Sequence, residues 1–181
     1  MMRKRDWKLA SLTMLLGLLL VARSGSQMSA VRPALAEQPS GDVERLTLPD
    51  YRQWTHVKSM VIFDEKHPLY KSFGGIHHIY VNATGVRASQ TGGQYPDGSQ
   101  LVFVLYEAVN EQGAYVAGKK KVEAIMVKDR NRFPQTGGWG FQAFDPETRK
   151  PLIKNADVAS ACFNCHAGQK ERDYVFSQLV K

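Results

Sequence analysis

The chain has 181 residues, of which 43% are hydrophobic, and this length suffices for one globular domain with a core of its own. Residues 1–36 hold six basic residues and one acidic residue, so the formal charge of +7 falls to +2 for the rest of the chain. This weak charge excludes nucleic-acid binding as a function, because such binding depends on a concentrated positive field.

The amino-terminal residues have the three parts of a secretory signal peptide. A basic start at Arg3–Arg5 leads into an apolar run over Leu9–Ala22, and the small residues of Ala34–Ala36 fit a cleavage site. The apolar run is shorter than the about 20 residues that a membrane-spanning helix needs. We therefore predict a signal peptide over residues 1–36, cleaved near Ala36, and no membrane segment afterwards. An uncleaved membrane anchor is the alternative.

Downstream of the signal peptide we predict a leader or linker over residues 37–47 and a single domain over residues 48–181. The domain is predicted to begin with a helix over residues 49–57, because Pro49 suits a first helical turn and apolar side chains follow at three-residue spacing. The β-branched and aromatic residues of Ile76–Val81 then predict a strand.

Further strands follow at short intervals along the chain. The continuous apolar run Leu101–Tyr106 suits a strand that is covered on both faces. Strand-forming residues recur at Ala114–Val116 and Lys121–Val127, and side chains alternate in character over Trp139–Phe144. Residues 171–181 are typical of a terminal helix. Consecutive strands with short turns indicate an antiparallel sheet, so we predict an α+β fold with flanking helices and a helical carboxyl-terminal segment.

Near the carboxyl end, Cys162-Phe163-Asn164-Cys165-His166 has the C-x-x-C-H spacing that attaches a c-type haem. Each thiol adds to one vinyl group of the porphyrin, and the two thioethers hold the histidine close to the iron. The chain contains no other cysteine. We therefore predict one covalent haem c, attached through Cys162 and Cys165, with His166 as the axial ligand.

A C-x-x-C pair has two other interpretations, a redox disulfide and half of a zinc site. A thioredoxin-like pair opens a helix in a βαβ context, whereas this motif follows an antiparallel pattern. A structural zinc site needs four ligands, and no second C-x-x-C or H-x-x-x-H motif supplies them. Together with the signal peptide, the haem motif predicts a location in the bacterial periplasm, where such haems are attached.

The second axial position of the iron decides the function of a c-type haem. A Met or Lys in that position makes an electron carrier, whereas an open position lets small molecules bind or react. Met60 and Met126 are the methionine candidates, but both lie in apolar runs that favour a core role. His77 and His78 are adjacent on a predicted strand, so at most one of them approaches the haem.

Several motifs, taken in order, make the chain similar to the cytochrome P460 family, which includes the cytochromes c′-β. The resemblance covers nearly all of residues 50–177. It implies an antiparallel β-sheet domain, a homodimer, and a five-coordinate haem with an open distal pocket. The matching segments are Tyr51–Trp54, Phe73–Tyr80, Tyr95–Ser99, Phe133–Pro134, Thr136–Phe141, Cys162–His166 and Asp173–Phe176.

Within this family, the P460 members oxidise hydroxylamine and carry a lysine that is cross-linked to the porphyrin. The corresponding position falls at or near Phe103, and no lysine occurs between Lys71 and Lys119. The resemblance therefore favours the c′-β branch, in which phenylalanines cap the distal pocket. Phe73 and Phe103 match the positions of those phenylalanines.

An apolar distal pocket offers no hydrogen-bond donor to bound dioxygen, so it favours NO and CO on ferrous iron. His78 and Gln142 are the polar candidates around this pocket, and Glu107 and Glu123 are carboxylates that the sequence does not place. We predict a cytochrome that binds or scavenges NO and has a redox partner that the sequence does not identify. The alternatives are an enzyme that oxidises hydroxylamine or a related nitrogen compound, and an electron carrier with a sixth ligand.

Overall fold

In the computed structural model, residues 42–180 are described, and the predicted signal peptide lies outside them. Five strands form one antiparallel sheet in the order β1-β2-β3-β4-β5. The strands are Thr55–Ile62 (β1), Gly75–Val81 (β2), Gln100–Glu111 (β3), Ala114–Lys128 (β4) and Trp139–Phe144 (β5). Because neighbours in the chain are also neighbours in the sheet, the architecture is a meander.

Short helices connect and follow the strands, which confirms the α+β class. The α-helices are Tyr70–Phe73 (α1), Val86–Thr91 (α2) and Asn164–His166 (α3). A π-helix spans Ala159–Phe163. The 3₁₀ helices are Val43–Arg45, Ala83–Gly85, Pro134–Thr136, Asn155–Asp157 and Ala167–Arg172. Within residues 42–180, no helix is long and apolar enough to cross a membrane.

The predicted strands Ile76–Val81 and Trp139–Phe144 are confirmed, and Leu101–Tyr106 lies inside the longer β3. The two predicted strands at Ala114–Val116 and Lys121–Val127 are one continuous strand, β4. Pairing with β3 carries the ladder through the polar residues between them, with register shifts near Tyr106. Tertiary pairing thus extends strands across segments whose own sequence is a weak strand signal.

Two predicted helices are wrong. The chain turns at Arg52 and enters β1 at Thr55, so residues 49–57 are not helical. The turn is held by a tertiary contact, because the Tyr51 hydroxyl donates a hydrogen bond to the buried carboxylate of Glu123 on β4. At the other end, the described residues 173–180 form no helix beyond Arg172, since Asp173 and Tyr174 take positive φ angles.

The sheet has two faces with different cover. We call the face that carries Val102, Val104, Ile125 and Phe144 the closed face; these four side chains are at most 2% exposed and pack with Tyr51 from the amino-terminal segment. Side chains alternate along each strand, so the residues between them lie on the opposite side. That opposite side, which we call the open face, is described with the site.

Candidate haem site

The C-x-x-C-H segment lies on consecutive helical turns. The π-helix ends at Phe163 and α3 continues through His166, so the two cysteines stand three residues apart on one continuous helical segment. Cys162 is half-buried, Cys165 is exposed, and both are free thiols. A π-helical turn in an otherwise helical segment is often found at functional sites.

The environment of Cys162 does not suit a redox thiol. Burial raises the pKa of the Cys162 thiol to about 11, and the neighbouring Cys165 adds to the rise. The attacking cysteine of a redox C-x-x-C pair has a lowered pKa, because the thiolate is the nucleophile. This argues against a redox disulfide. In the described part of the chain, no group of three or more His, Cys, Asp and Glu side chains is arranged to hold a metal ion by itself.

The ring of His166 is held by one hydrogen bond and by two aromatic contacts. Its Nδ1 lies 2.7 Å from the carbonyl oxygen of Tyr174, and its ring packs between Phe141 and Phe176 at centroid distances of 4.9 and 5.0 Å. A carbonyl only accepts hydrogen bonds, so Nδ1 carries the proton in the neutral ring and Nε2 keeps its lone pair. Burial lowers the pKa of His166, which favours this neutral form.

The open face carries a row of side chains that suits a flat group. Ile79, Phe103, Ala124 and Ala143 lie opposite one another on β2 to β5. Each is only partly covered by the described residues, although each stands in the middle of the sheet. The side chains of the two alanines are short, so the surface of the sheet is open there to a planar macrocycle such as a porphyrin.

The haem motif packs next to this row on the same face. Leu101, Met126 and Phe141 form the adjoining row of the open face, and Phe141 contacts the rings of both Phe163 and His166. Cys162 packs against the hydrophobic cluster that contains Leu101 and Phe141. Free thiols, a neutral imidazole and a flat apolar surface on one face fit the chemistry and shape of a covalently attached haem.

Phe73 and Phe103 come together at the open face. Their rings meet edge to face at a centroid distance of 5.9 Å, and Phe103 also contacts His77 at 5.1 Å. The His77 ring bonds to the carbonyl of Phe73 through Nε2, and Lys121 Nζ donates to the carbonyl of Gly74 at 2.8 Å. The end of α1 is thereby fastened to β2 and β4, which keeps Phe73 beside Phe103.

His78 and Gln142 are not brought to this pocket, because strand alternation turns both to the closed face. The Nδ1 of His78 lies 2.7 Å from the hydroxyl of Ser59. Gln142 is 1% exposed, and its amide donates to the carbonyls of Val43 and Ile153 at 3.0 and 2.9 Å. Gln142 therefore ties the amino-terminal segment to the chain that follows β5, which is a structural role.

The remaining candidates are also located. Glu123 lies on the closed face, where it accepts from the Tyr51 hydroxyl at 2.5 Å and from Lys120 Nζ at 3.0 Å. Glu107 is exposed on β3. Of the two methionines, Met126 lies half-buried in the row beside Phe141, and Met60 is 43% exposed on β1. Glu123 therefore lies on the face opposite the haem motif.

Sequence reasoning missed several residues that shape the site. Phe141 and Phe176 enclose the imidazole, Tyr174 supplies its hydrogen-bond acceptor, and the two alanines flatten the open face. Lys58 on β1 lies opposite Ile79 and so shares the open face with Phe103. Register is the signal that finds the strand residues among them, because cross-strand neighbours on one face are far apart in sequence.

The buried His77 is expected to make the fold sensitive to acid. Burial lowers the pKa of His77 from its usual 6.5, and nearby Lys121 contributes in the same direction. Below that pH the unfolded chain binds a proton that the folded chain takes up only at lower pH, so stability falls as the pH drops through about 6.5. His77→Gln keeps a donor for the Phe73 carbonyl and should remove part of this loss.

Denaturant unfolding at about pH 7.5 and about pH 5.5 measures the effect. The matched control is His67→Gln, which changes an exposed histidine in the loop before α1. A loss of stability that is equally steep in His77→Gln and in the unchanged chain would show that His77 is not its source.

Comparison with known proteins agrees with the geometry of the site. Residues 48–177 match the family model described as Cytochrome P460. No curated protein matches the chain. The match covers the sheet, the phenylalanine pair and the whole C-x-x-C-H segment, and the proteins of this family bind haem c. The chain belongs to the cytochrome P460 family.

Proposed function

We propose that this haem c cytochrome works in the periplasm as a mono-haem protein that binds nitric oxide at an open axial position. The observation that carries the proposal is the contact between Phe73 and Phe103, 5.9 Å apart on the face where the haem motif packs. Two phenyl rings in that position offer a bound ligand an apolar, uncharged surface.

The cysteines and the histidine are assigned separate tasks. Cys162 and Cys165 would hold the porphyrin edge through thioethers, and His166 would ligate the iron through Nε2. When bound, the haem supplies a ferrous iron that takes up diatomic gases. The carbonyl of Tyr174 keeps the proton on Nδ1, so His166 remains a neutral donor at its other nitrogen.

Two polar side chains beside the phenylalanine pair are bound to backbone carbonyls. Lys121 Nζ donates to a backbone carbonyl, and the Nε2 proton of His77 is directed at the carbonyl of Phe73. The remaining nitrogen of the neutral His77 ring accepts but does not donate. Bound dioxygen depends on hydrogen-bond donors and anions need a compensating charge, so this environment supports a preference for NO and CO.

Optical spectra of the reduced holoprotein test this function. We expect a high-spin ferrous Soret band that shifts on addition of NO or CO. A low-spin ferrous spectrum that does not respond to CO would mean that a protein side chain fills the second axial position, and the gas-binding proposal would be abandoned.

Removing one phenyl ring should open the pocket. Phe103→Ala is expected to raise the association rate of CO about tenfold, which corresponds to removal of a packing barrier of about 1.4 kcal/mol. Flash photolysis measures this rate. Phe63→Ala is the matched control, since it removes an exposed phenyl ring that stacks on Tyr115. Equal rates in Phe103→Ala and Phe63→Ala would contradict a capping role.

Oxidation of hydroxylamine is the second candidate function, and one observation favours it. Lys58 is half-buried on the open face, in the same cross-strand row as Phe103. A lysine cross-linked to the porphyrin would give a strongly red-shifted ferrous Soret band that disappears in Lys58→Met. An ordinary c-type band in both proteins would leave gas binding as the function.

A further inference from the structure

A buried ion pair lies beside the turn that contacts the His166 ring. The side chains of Lys128 on β4 and Asp173 are 1% and 3% exposed, and Nζ donates to Oδ1 of Asp173 at 2.6 Å. The same ammonium donates to the carbonyl of Gly137 at 2.9 Å and lies 4.9 Å from the ring centroid of Trp139. The charge of Lys128 is therefore fully compensated within the core.

Asp173 begins the turn that presents the acceptor for the His166 ring. Asp173 and Tyr174 have φ angles of 50° and 65°, a left-handed conformation that is unfavourable for residues other than glycine. Oδ2 of Asp173 accepts from the Tyr95 N–H at 2.8 Å, and its carbonyl accepts from Trp139 Nε1 at 2.8 Å. Strained backbone of this kind persists only where its surroundings hold it in place.

The strained turn and the imidazole are directly connected. The carbonyl of Tyr174, the second left-handed residue, is the group that lies 2.7 Å from Nδ1 of His166. Movement of this turn would change the length of that hydrogen bond. The ion pair therefore stands one residue away from the atom that orients the ligand.

We propose that Lys128 and Asp173 are positioning residues that fix the Tyr174 carbonyl and thereby set the donor strength of His166. The inference rests on the proposed role of His166 as axial ligand. A fixed acceptor at Nδ1 makes the imidazole more basic, which favours ferric over ferrous iron and lowers the reduction potential. Loosening the acceptor should have the opposite effect.

The energetics of the pair favour this role over a purely stabilising one. Burying two charges costs desolvation energy that their attraction barely repays, and a well-packed apolar pair is often as stable. What an apolar pair would not provide is the set of bonds from Asp173 to Lys128 and Tyr95 that fixes the turn. The pair thus fixes the turn whose Tyr174 carbonyl orients the His166 ring.

The test is the double variant Lys128→Met/Asp173→Asn in the holoprotein. The two changes cancel in net charge, and asparagine tolerates the left-handed conformation, so the fold and the long-range field are conserved. We measure the reduction potential by spectroelectrochemistry and the iron–imidazole stretching band of the ferrous protein by resonance Raman spectroscopy. The matched control is Lys119→Met/Glu147→Gln, which removes an exposed pair at 2.9 Å.

We expect the potential to rise and the stretching band to move to lower frequency in the double variant, with no shift in the control. If the double variant does not fold, Lys128→Arg, which keeps the two charges paired but changes the contacts of the cation, should shift both readouts in the same direction by a smaller amount. Unchanged readouts in folded, haem-loaded variants overturn the inference alone. A wild-type protein without an iron–imidazole band overturns the proposed ligand role of His166 instead, so the two failures are distinguishable.

Discussion

Replacing both cysteines should abolish covalent haem attachment. In Cys162→Ala/Cys165→Ala, produced together with haem-maturation machinery, we expect no haem stain after denaturing electrophoresis and no pyridine haemochrome spectrum in the purified protein. The reason is chemical, because each thioether needs one thiol and the chain has no third cysteine to substitute for either. Each single variant should keep one thioether and show a shifted haemochrome band.

The matched control lies between the two cysteines. Asn164→Ala changes an exposed residue of the same turn and leaves both thiols in place, so attachment should be unaffected. Covalent haem in the double cysteine variant would refute the attachment sites. If the protein without substitutions is colourless under the same conditions, the proposal that this motif attaches haem is refuted.

The second large effect concerns stability. Lys128→Met leaves the carboxylate of Asp173 buried without its counter-charge, and loss of one partner of a buried pair costs about 3–5 kcal/mol. We expect the free energy of unfolding to fall by about that amount in denaturant titrations, with the midpoint lowered and the slope unchanged.

Two comparison variants distinguish the effect of an unpaired buried charge on stability from the effect of losing a lysine side chain. Lys119→Met removes one partner of an exposed pair, which contributes little to stability because water and salt screen the two charges. In Lys128→Met/Asp173→Asn no charge is left uncompensated, so most of the lost stability should return. A loss in Lys128→Met no larger than in Lys119→Met would show that the charge of Asp173 is relieved in some other way.

Local sequence features predicted the central strands well. Alternation over Trp139–Phe144 and the apolar run inside β3 reflect packing that both faces of the sheet impose on every residue. The helix predicted over residues 49–57 failed for the opposite reason. Tyr51 is held by a hydrogen bond to Glu123, which lies on the fourth strand and is invisible to local periodicity.

The candidate site shows the same division between local and distant information. The two cysteines and the histidine of the haem motif lie within five consecutive positions, so their spacing alone indicates haem attachment. His78 and Gln142 were expected near the pocket, but which face a strand residue takes depends on register, and both lie on the closed face. The left-handed turn at Asp173 also has no local signature, because bonds to Lys128 and Tyr95 hold it.

The meander has a consequence for the order of assembly. Each strand pairs with the one synthesised just before it, so the sheet can be complete at Phe144 while the cysteine pair is still to follow. Contacts that are short in sequence form rapidly. The sheet can therefore form without the segment that carries the cysteines, whereas Phe176, which contacts the His166 ring, follows that segment in the chain.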